Sequence, residues 1–301
     1  ITSLNKNSGL MHDYIKSLES NDSELYIGFQ NDLQILKNKT LAKIPSHAPP
    51  KQIFFQRGER FYIDDGYFLD KNKRLVELSS GIVYPYKNIT AARQIIKVED
   101  RWYVYFQKGY VEINNNQLNL VEFPQNDLVI ECVARKNNIT YLGTRKGLVK
   151  VSKAGIVEMK TINSILGYRI VDLAISEHNG LIIATRGAGI LIYSNGQIQQ
   201  ISKKKGLSTN DIVTLHVDSK EHIWAGTNQG LYEFAGTPAK QINHYTTRDG
   251  LISNEITSIK ELDNNIYIGT KRGLSILDRD HFVKESYIPS VMITSVSLDG
   301  E

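Results

Sequence analysis

One cysteine is present in 301 residues, so a disulfide framework is excluded. That residue, Cys132, sits in the apolar run Leu128-Val-Ile-Glu-Cys-Val-Ala134, which predicts a buried, inert thiol. Proline is scarce at 7 residues, and no stretch approaches the roughly 18 consecutive apolar residues that a membrane-crossing helix needs. The start, Ile1-Thr-Ser-Leu4, has neither an initiator methionine nor the features of a signal peptide, so targeting or anchoring segments are expected outside these residues. Charge of one sign is also in short supply. A formal net charge of +4 is too small to imply a nucleic-acid partner unless the cations gather on one face. Catalytic signatures are missing: there is no Gly-x-Ser-x-Gly elbow, no Gly-x-x-x-x-Gly-Lys-Ser/Thr phosphate loop and no Asp-rich calcium loop. The 7 histidines show no metal-ligand spacing, so neither a metal nor a cofactor is expected.

What is present is a repeat. Ile223-Trp-Ala-Gly-Thr-Asn-Gln-Gly-Leu-Tyr232 returns as Ile266-Tyr-Ile-Gly-Thr-Lys-Arg-Gly-Leu-Ser275, and looser copies begin at Leu25, Phe61, Arg101, Ile139 and Leu181. The residue two before the Gly-Thr position is Tyr26, Tyr62, Tyr103, Tyr141, Ile182, Trp224 and Tyr267, giving intervals of 36, 41, 38, 41, 42 and 43 residues. A period near 40 fits four-stranded propeller blades or some helical repeats. The β-branched and aromatic content around a glycine turn excludes the helical option. Each copy reads as a hairpin between two further short apolar runs. The expected fold is therefore all-β, a seven-bladed β-propeller of four-stranded blades over residues 1–284. Ile1-Thr-Ser-Leu-Asn-Lys-Asn-Ser-Gly-Leu10 parallels Ile242-Asn-His-Tyr-Thr-Thr-Arg-Asp-Gly-Leu251, so the N-terminus is expected to supply the outer strand of the last blade.

With the preceding Gly206-Leu-Ser-Thr-Asn-Asp-Ile212 and Gly250-Leu-Ile-Ser-Asn-Glu-Ile256, the two best copies resemble the two-component regulator propeller repeat. Its pattern of an Asp, an aromatic-x-Gly-Thr and a Gly-Leu is met at Asp218, Trp224, Gly226, Thr227, Gly230 and Leu231. The match is fair at 139–148 and weak in the first three copies, where Asp64 and Tyr105 replace the glycine. The tail Ile288-Pro-Ser-Val-Met-Ile-Thr-Ser-Val-Ser-Leu-Asp-Gly300 resembles the opening strand of the triple-tyrosine (YYY), immunoglobulin-like domain, so residues 285–301 are expected to be a linker and that strand. The resemblance implies a periplasmic sensor region of an inner-membrane bacterial regulator, commonly a hybrid histidine kinase controlling polysaccharide use. It further implies a neighbouring propeller and YYY domain in the same chain, a homodimer in the full protein, and no catalysis in this segment. A protein-interaction scaffold and a propeller-fold polysaccharide lyase or hydrolase are the rival readings.

Carboxylate pairs at Asp64-Asp65 and Glu99-Asp100 fall in expected turns, and the pairs Asn126-Asp127, Asn210-Asp211 and Asn254-Glu255 are expected to shape loops through side chain to backbone bonds. Trp102 and Trp224 are expected in the core, and His216 and His222 on a strand and the turn after it, in structural roles. In a propeller the turn between the second and third strands opens on the same face as the linker into the innermost strand. Those turns carry Gln30-Asn31, Gln107-Lys108, Arg145-Lys146, Arg186, Asn228-Gln229 and Lys271-Arg272, with Asp32 and Asp65 the only carboxylates. The linkers add Lys203–Lys205, Arg248, His12 and Tyr168. Lys108, Arg145, Lys146, Arg186, Asn228, Lys271, Arg272, Tyr168 and His12 are therefore the candidate ligand contacts. Their expected partner is an acidic oligosaccharide, whose carboxylate or sulfate groups suit arginine forks.

Overall fold

The structure is a computed structural model and describes residues 1–20, 23–29, 33–43, 62–63, 67–69, 75–77, 94–98, 101–106, 108–114, 117–123 and 128–280. These residues form seven antiparallel sheets and no α-helix. The sheets fall within 17–43, 62–77, 94–122, 130–158, 169–201, 212–245 and 256–278, numbered here first to seventh. All have four strands except the second, which has three. The innermost strands Ile130–Lys136, Arg169–Ser176, Ile212–Val217, Ile256–Leu262 and Ser17–Ser20 stand side by side in that order. The sheets are the blades of a β-propeller. The fourth strand of the seventh blade is Thr2–Leu4, with Thr2 opposite Ile276 and Leu4 opposite Leu274. Gln30, Asn31, Asp32, Asp64, Asp65, Glu99, Asp100, Gln107, Asn126, Asp127 and the tail 285–301 lie outside the described residues, as does the side chain of Trp102.

The Gly-Thr signature has two physical causes. A Cβ on Gly226 would lie 2.6 Å from Ile256 Cγ2, one on Gly143 would lie 2.7 Å from Ile170 Cγ2, and one on Gly269 would lie 2.8 Å from Ile15 Cγ2. The glycine of one blade thus admits the isoleucine that opens the innermost strand of the next. The threonine closes the hairpin: Thr144, Thr185, Thr227 and Thr270 donate from Oγ1 to the carbonyls of Gly147, Gly189, Gly230 and Gly273 at 2.7 to 2.8 Å. Between blades the core is apolar, with Trp224, Ile256, Ile259, Ile266 and Ile268 packed together between the sixth and the seventh. Burial of such side chains contributes about 1.5–3 kcal/mol each. Trp224 is fully buried and Cys132 is 1% exposed.

The linkers into the innermost strands repeat one device. Asp13, Asn210 and Asn254 accept from the backbone N–H of Lys6, Lys203 and Thr247 at 2.8, 2.8 and 2.7 Å, folding each linker back on itself. A single turn of 3-10 helix sits in each, ended by Gly9, Gly206 or Gly250 at a φ of 106°, 104° or 101°.

Candidate functional site: the turn face

Backbone hydrogen bonds tie the turns between the second and third strands of the fourth to seventh blades to the linkers beside them. Arg145 N donates to Val129 O at 3.3 Å, Gly187 N to Asn210 O at 3.2 Å, Gly230 N to Asn254 O at 2.9 Å and Lys271 N to Glu255 O at 3.3 Å. Turns and linkers therefore share one face of the propeller.

On that face the fourth and fifth blades gather several charges. Glu131, on the innermost strand of the fourth blade and 8% exposed, accepts from Arg145 Nε at 2.8 Å and from Arg169 Nη2 at 3.2 Å. Arg169 faces Arg186 in the pairing of the two inner strands of the fifth blade. Tyr168, half exposed, lays its ring against Gly187: a Cβ there would come within 3.1 Å of the ring. Arg145, Arg186 and Tyr168 thus meet around one blade boundary, joined by Arg169. Asp211, exposed, forms a backbone bridge with Arg186.

The other candidates stand apart on their own blades. Lys271 Nζ pairs with Glu255 Oε1 at 2.5 Å, a contact that holds the ammonium above its ordinary range. His12 sets its ring edge-on to Phe29, with centroids 5.4 Å apart. Lys108, Lys146, Asn228 and Arg272 are exposed turn residues, and Lys108 receives the N–H of Phe123 on its carbonyl at 2.8 Å. Sequence reasoning put no carboxylate in this ring beyond Asp32 and Asp65. The structure brings Glu131 to Arg145 and Glu255 to Lys271, because the innermost strand or its linker reaches the turn from 14 and 16 residues away. Arg169 was also missed. Its signal, and that of Glu131, was a charged residue at the head of a strand.

His216 lies on the innermost strand of the sixth blade, and His222 enters the next strand with Nδ1 2.8 Å from Glu233 Oε1. Glu233 also accepts from Tyr245 Oη at 2.8 Å; burial, then the Glu233 charge, push the phenol well above its ordinary range. Among the described residues no three His, Cys, Asp or Glu side chains are grouped to hold a metal.

No family model matches the chain. A curated relative, histidine kinase P4 of Formosa agariphila, is 23% identical over 97% of this chain. Among solved structures, the extracellular domain of a hybrid two-component system from B. thetaiotaomicron superposes with a TM-score of 0.67 at 17% identity, over 90% of this chain and 40% of that one. The chain has the fold of two-component sensor ectodomains. It spans about a fifth of the kinase relative (21%) and two fifths of the sensor ectodomain. Virginiamycin B lyase from Staphylococcus aureus also superposes, with a TM-score of 0.63 at 10% identity over 88% of this chain and 94% of the lyase. Propellers similar to sensor ectodomains and to a lyase thus share one architecture, so function has to be argued from the residues of the face.

Proposed function

We propose that this chain is a ligand-sensing propeller from the periplasmic region of a bacterial two-component regulator, with no catalytic centre of its own. Its ligand is an acidic oligosaccharide held on the turn face, and binding changes how the propeller docks on neighbouring domains and on the second copy in a homodimer. The likeness to sensor ectodomains supports the sensor part.

One observation supports the acidic ligand. Glu131 holds Arg145 and Arg169, and Arg186 and Tyr168 stand beside them, so a group of guanidinium forks faces solvent next to an aromatic ring. Forks of this kind match carboxylate and sulfate geometry, and an aromatic face suits the apolar side of a pyranose. Arg145 and Arg169 share one carboxylate, and among the described residues Arg186 has no side-chain ion pair, which leaves charge for a ligand.

Charge reversal Arg186→Glu tests this directly, because it leaves the Glu131 cluster intact. Binding of sulfated or uronated oligosaccharides, followed by calorimetry, is expected to disappear in the variant. Unchanged affinity would overturn the reading.

A further inference from the structure

The chain holds two Asn-Gly steps, Asn179-Gly180 and Asn195-Gly196, and the fold sets them in opposite surroundings. Asn179 is 5% exposed. Its backbone N–H donates to Ser176 Oγ at 2.8 Å, and its Nδ2 donates to the carbonyl of Gly236 at 3.1 Å. Gly180 is paired with Ser176 in the sheet, and a Cβ on it would lie 2.6 Å from the carbonyl oxygen of Tyr193. Asn195 and Gly196 instead form the two-residue turn between the third and fourth strands of the fifth blade, Ile190–Ser194 and Gln197–Ile201. Both are exposed, with φ of 49° and 81°, the positive pair that such a turn requires. Among the described residues neither the Asn195 side chain nor the Gly196 N–H has a hydrogen-bond partner. A Cβ on Gly196 would meet nothing within 4 Å. At Asn38, Asn137 and Asn138, also left-handed, the next residue is Lys39, Asn138 or Ile139, whose Cβ shields its own amide nitrogen.

We infer that Asn195 is a site of spontaneous deamidation in the folded protein, and that the fold protects Asn179. The deprotonated backbone nitrogen of Gly196 attacks Asn195 Cγ. A nitrogen–Cγ bond forms, the Cγ–Nδ2 bond breaks, and the leaving nitrogen takes up a proton and departs as ammonia. Water then opens the cyclic imide at either carbonyl, giving aspartate or, where the main-chain carbonyl is cut, isoaspartate. Glycine permits the attack because it carries no Cβ and its backbone bends freely. The turn has to leave its resting conformation for the nitrogen to reach Cγ, and its place in the blade favours that. It is exposed and runs into the outermost strand, of which residues 197–200 are exposed or half-buried, so a local opening disturbs little packing. Asn179 lacks this freedom, with its side-chain nitrogen held by Gly236 and the following glycine held in the sheet. Isoaspartate lengthens the main chain of a two-residue turn and so loosens the pairing of Ser194 with Gln197, while aspartate adds one negative charge. The site lies at the opposite end of the strands from the turn face and does not depend on a ligand there.

Incubation of the folded 301-residue chain in mildly alkaline buffer, followed by peptide mapping with mass spectrometry, tests the inference. Conversion of Asn195 to a mixture of isoaspartate and aspartate is expected, faster there than in mildly acidic buffer because the attacking nitrogen must lose its proton. In the folded chain Asn195 is expected to react at least roughly tenfold faster than Asn179. In the chain unfolded by urea the two are expected to react at similar rates, which assigns the difference to the fold. An intact Asn195 in the folded chain, under conditions where the unfolded chain reacts, would overturn the proposal. So would equal conversion of Asn179 and Asn195 in the folded chain.

Discussion

The indole Nε1 of Trp224 donates to Asp218 Oδ2 at 2.7 Å, and Arg279 Nη1 closes on the same oxygen at 2.9 Å. The other oxygen of Asp218 takes the N–H groups of Lys220 and His222, both at 2.9 Å. The Asp and the aromatic residue of the repeat are therefore one device, which fixes the turn after the innermost strand and ties the sixth blade to the end of the seventh.

Because Asp218 and Arg279 are both buried, removing the carboxylate strands a charge and an indole N–H. Asp218→Ala is expected to lower unfolding free energy by about 3–5 kcal/mol, and Asp218→Asn by less, as the amide oxygen still accepts from Trp224. Urea denaturation measures both. A loss under about 1 kcal/mol in the alanine variant would contradict the role assigned to this pair.

Gly226→Ala places a methyl group 2.6 Å from Ile256 Cγ2. Overpacking of this kind costs about 1–3 kcal/mol. Ile256→Ala in the same chain relieves the clash, so the two losses are expected to be less than additive. Strict additivity in chemical denaturation would show that the two residues do not meet.

How much of this was legible in the sequence follows from the range of each interaction. The Gly-Thr and Gly-Leu hairpins and the loop-forming Asn210 and Asn254 act over fewer than ten residues, and their bonds are local. The parallel between residues 1–10 and 242–251 marks a strand by its resemblance to its own repeat, although Thr2 pairs with Ile276 far along the chain. Glu131 with Arg145 and Glu255 with Lys271 were not legible, because nothing in a strand's alternation says which end of it reaches a turn. The pairing of Lys260 with Glu19, between the seventh and first blades, was hidden for a related reason, since a strand's period of two does not say which neighbouring strand a side chain meets.

Deletion of residues 1–4 removes the outer strand of the seventh blade and bares the edge of Gly273–Asp278. The truncated chain is expected to melt at a lower temperature and to self-associate, as unpaired edges do. Calorimetry and size-exclusion chromatography read the two effects, and a monomer of unchanged stability would contradict the closure.

Burial first, then the Lys260 and Arg279 charges, hold the His216 imidazole down at about 3 from its ordinary 6.5, with Asp218 opposing. In the unfolded chain this histidine binds its proton below about pH 6.5, so between there and about 3 the unfolded state holds more protons. Its contribution to stability is complete above that window and falls as the pH falls through it. His216→Leu is expected to flatten the loss of stability between pH 7 and 4 relative to the parent chain. Parallel pH profiles would contradict the buried, neutral state of this residue.

The most direct test of the account is a thermal-shift comparison of the chain with acidic and with neutral oligosaccharides of matched length. A ligand that binds only the native state at a hundredfold excess over its Kd adds about 2.7 kcal/mol. The expected result is a rise in Tm with sulfated or uronated oligosaccharides and none with their neutral counterparts. An equal rise with both, or no rise with either, would contradict an acidic oligosaccharide bound on the face built around Arg145, Arg169 and Arg186.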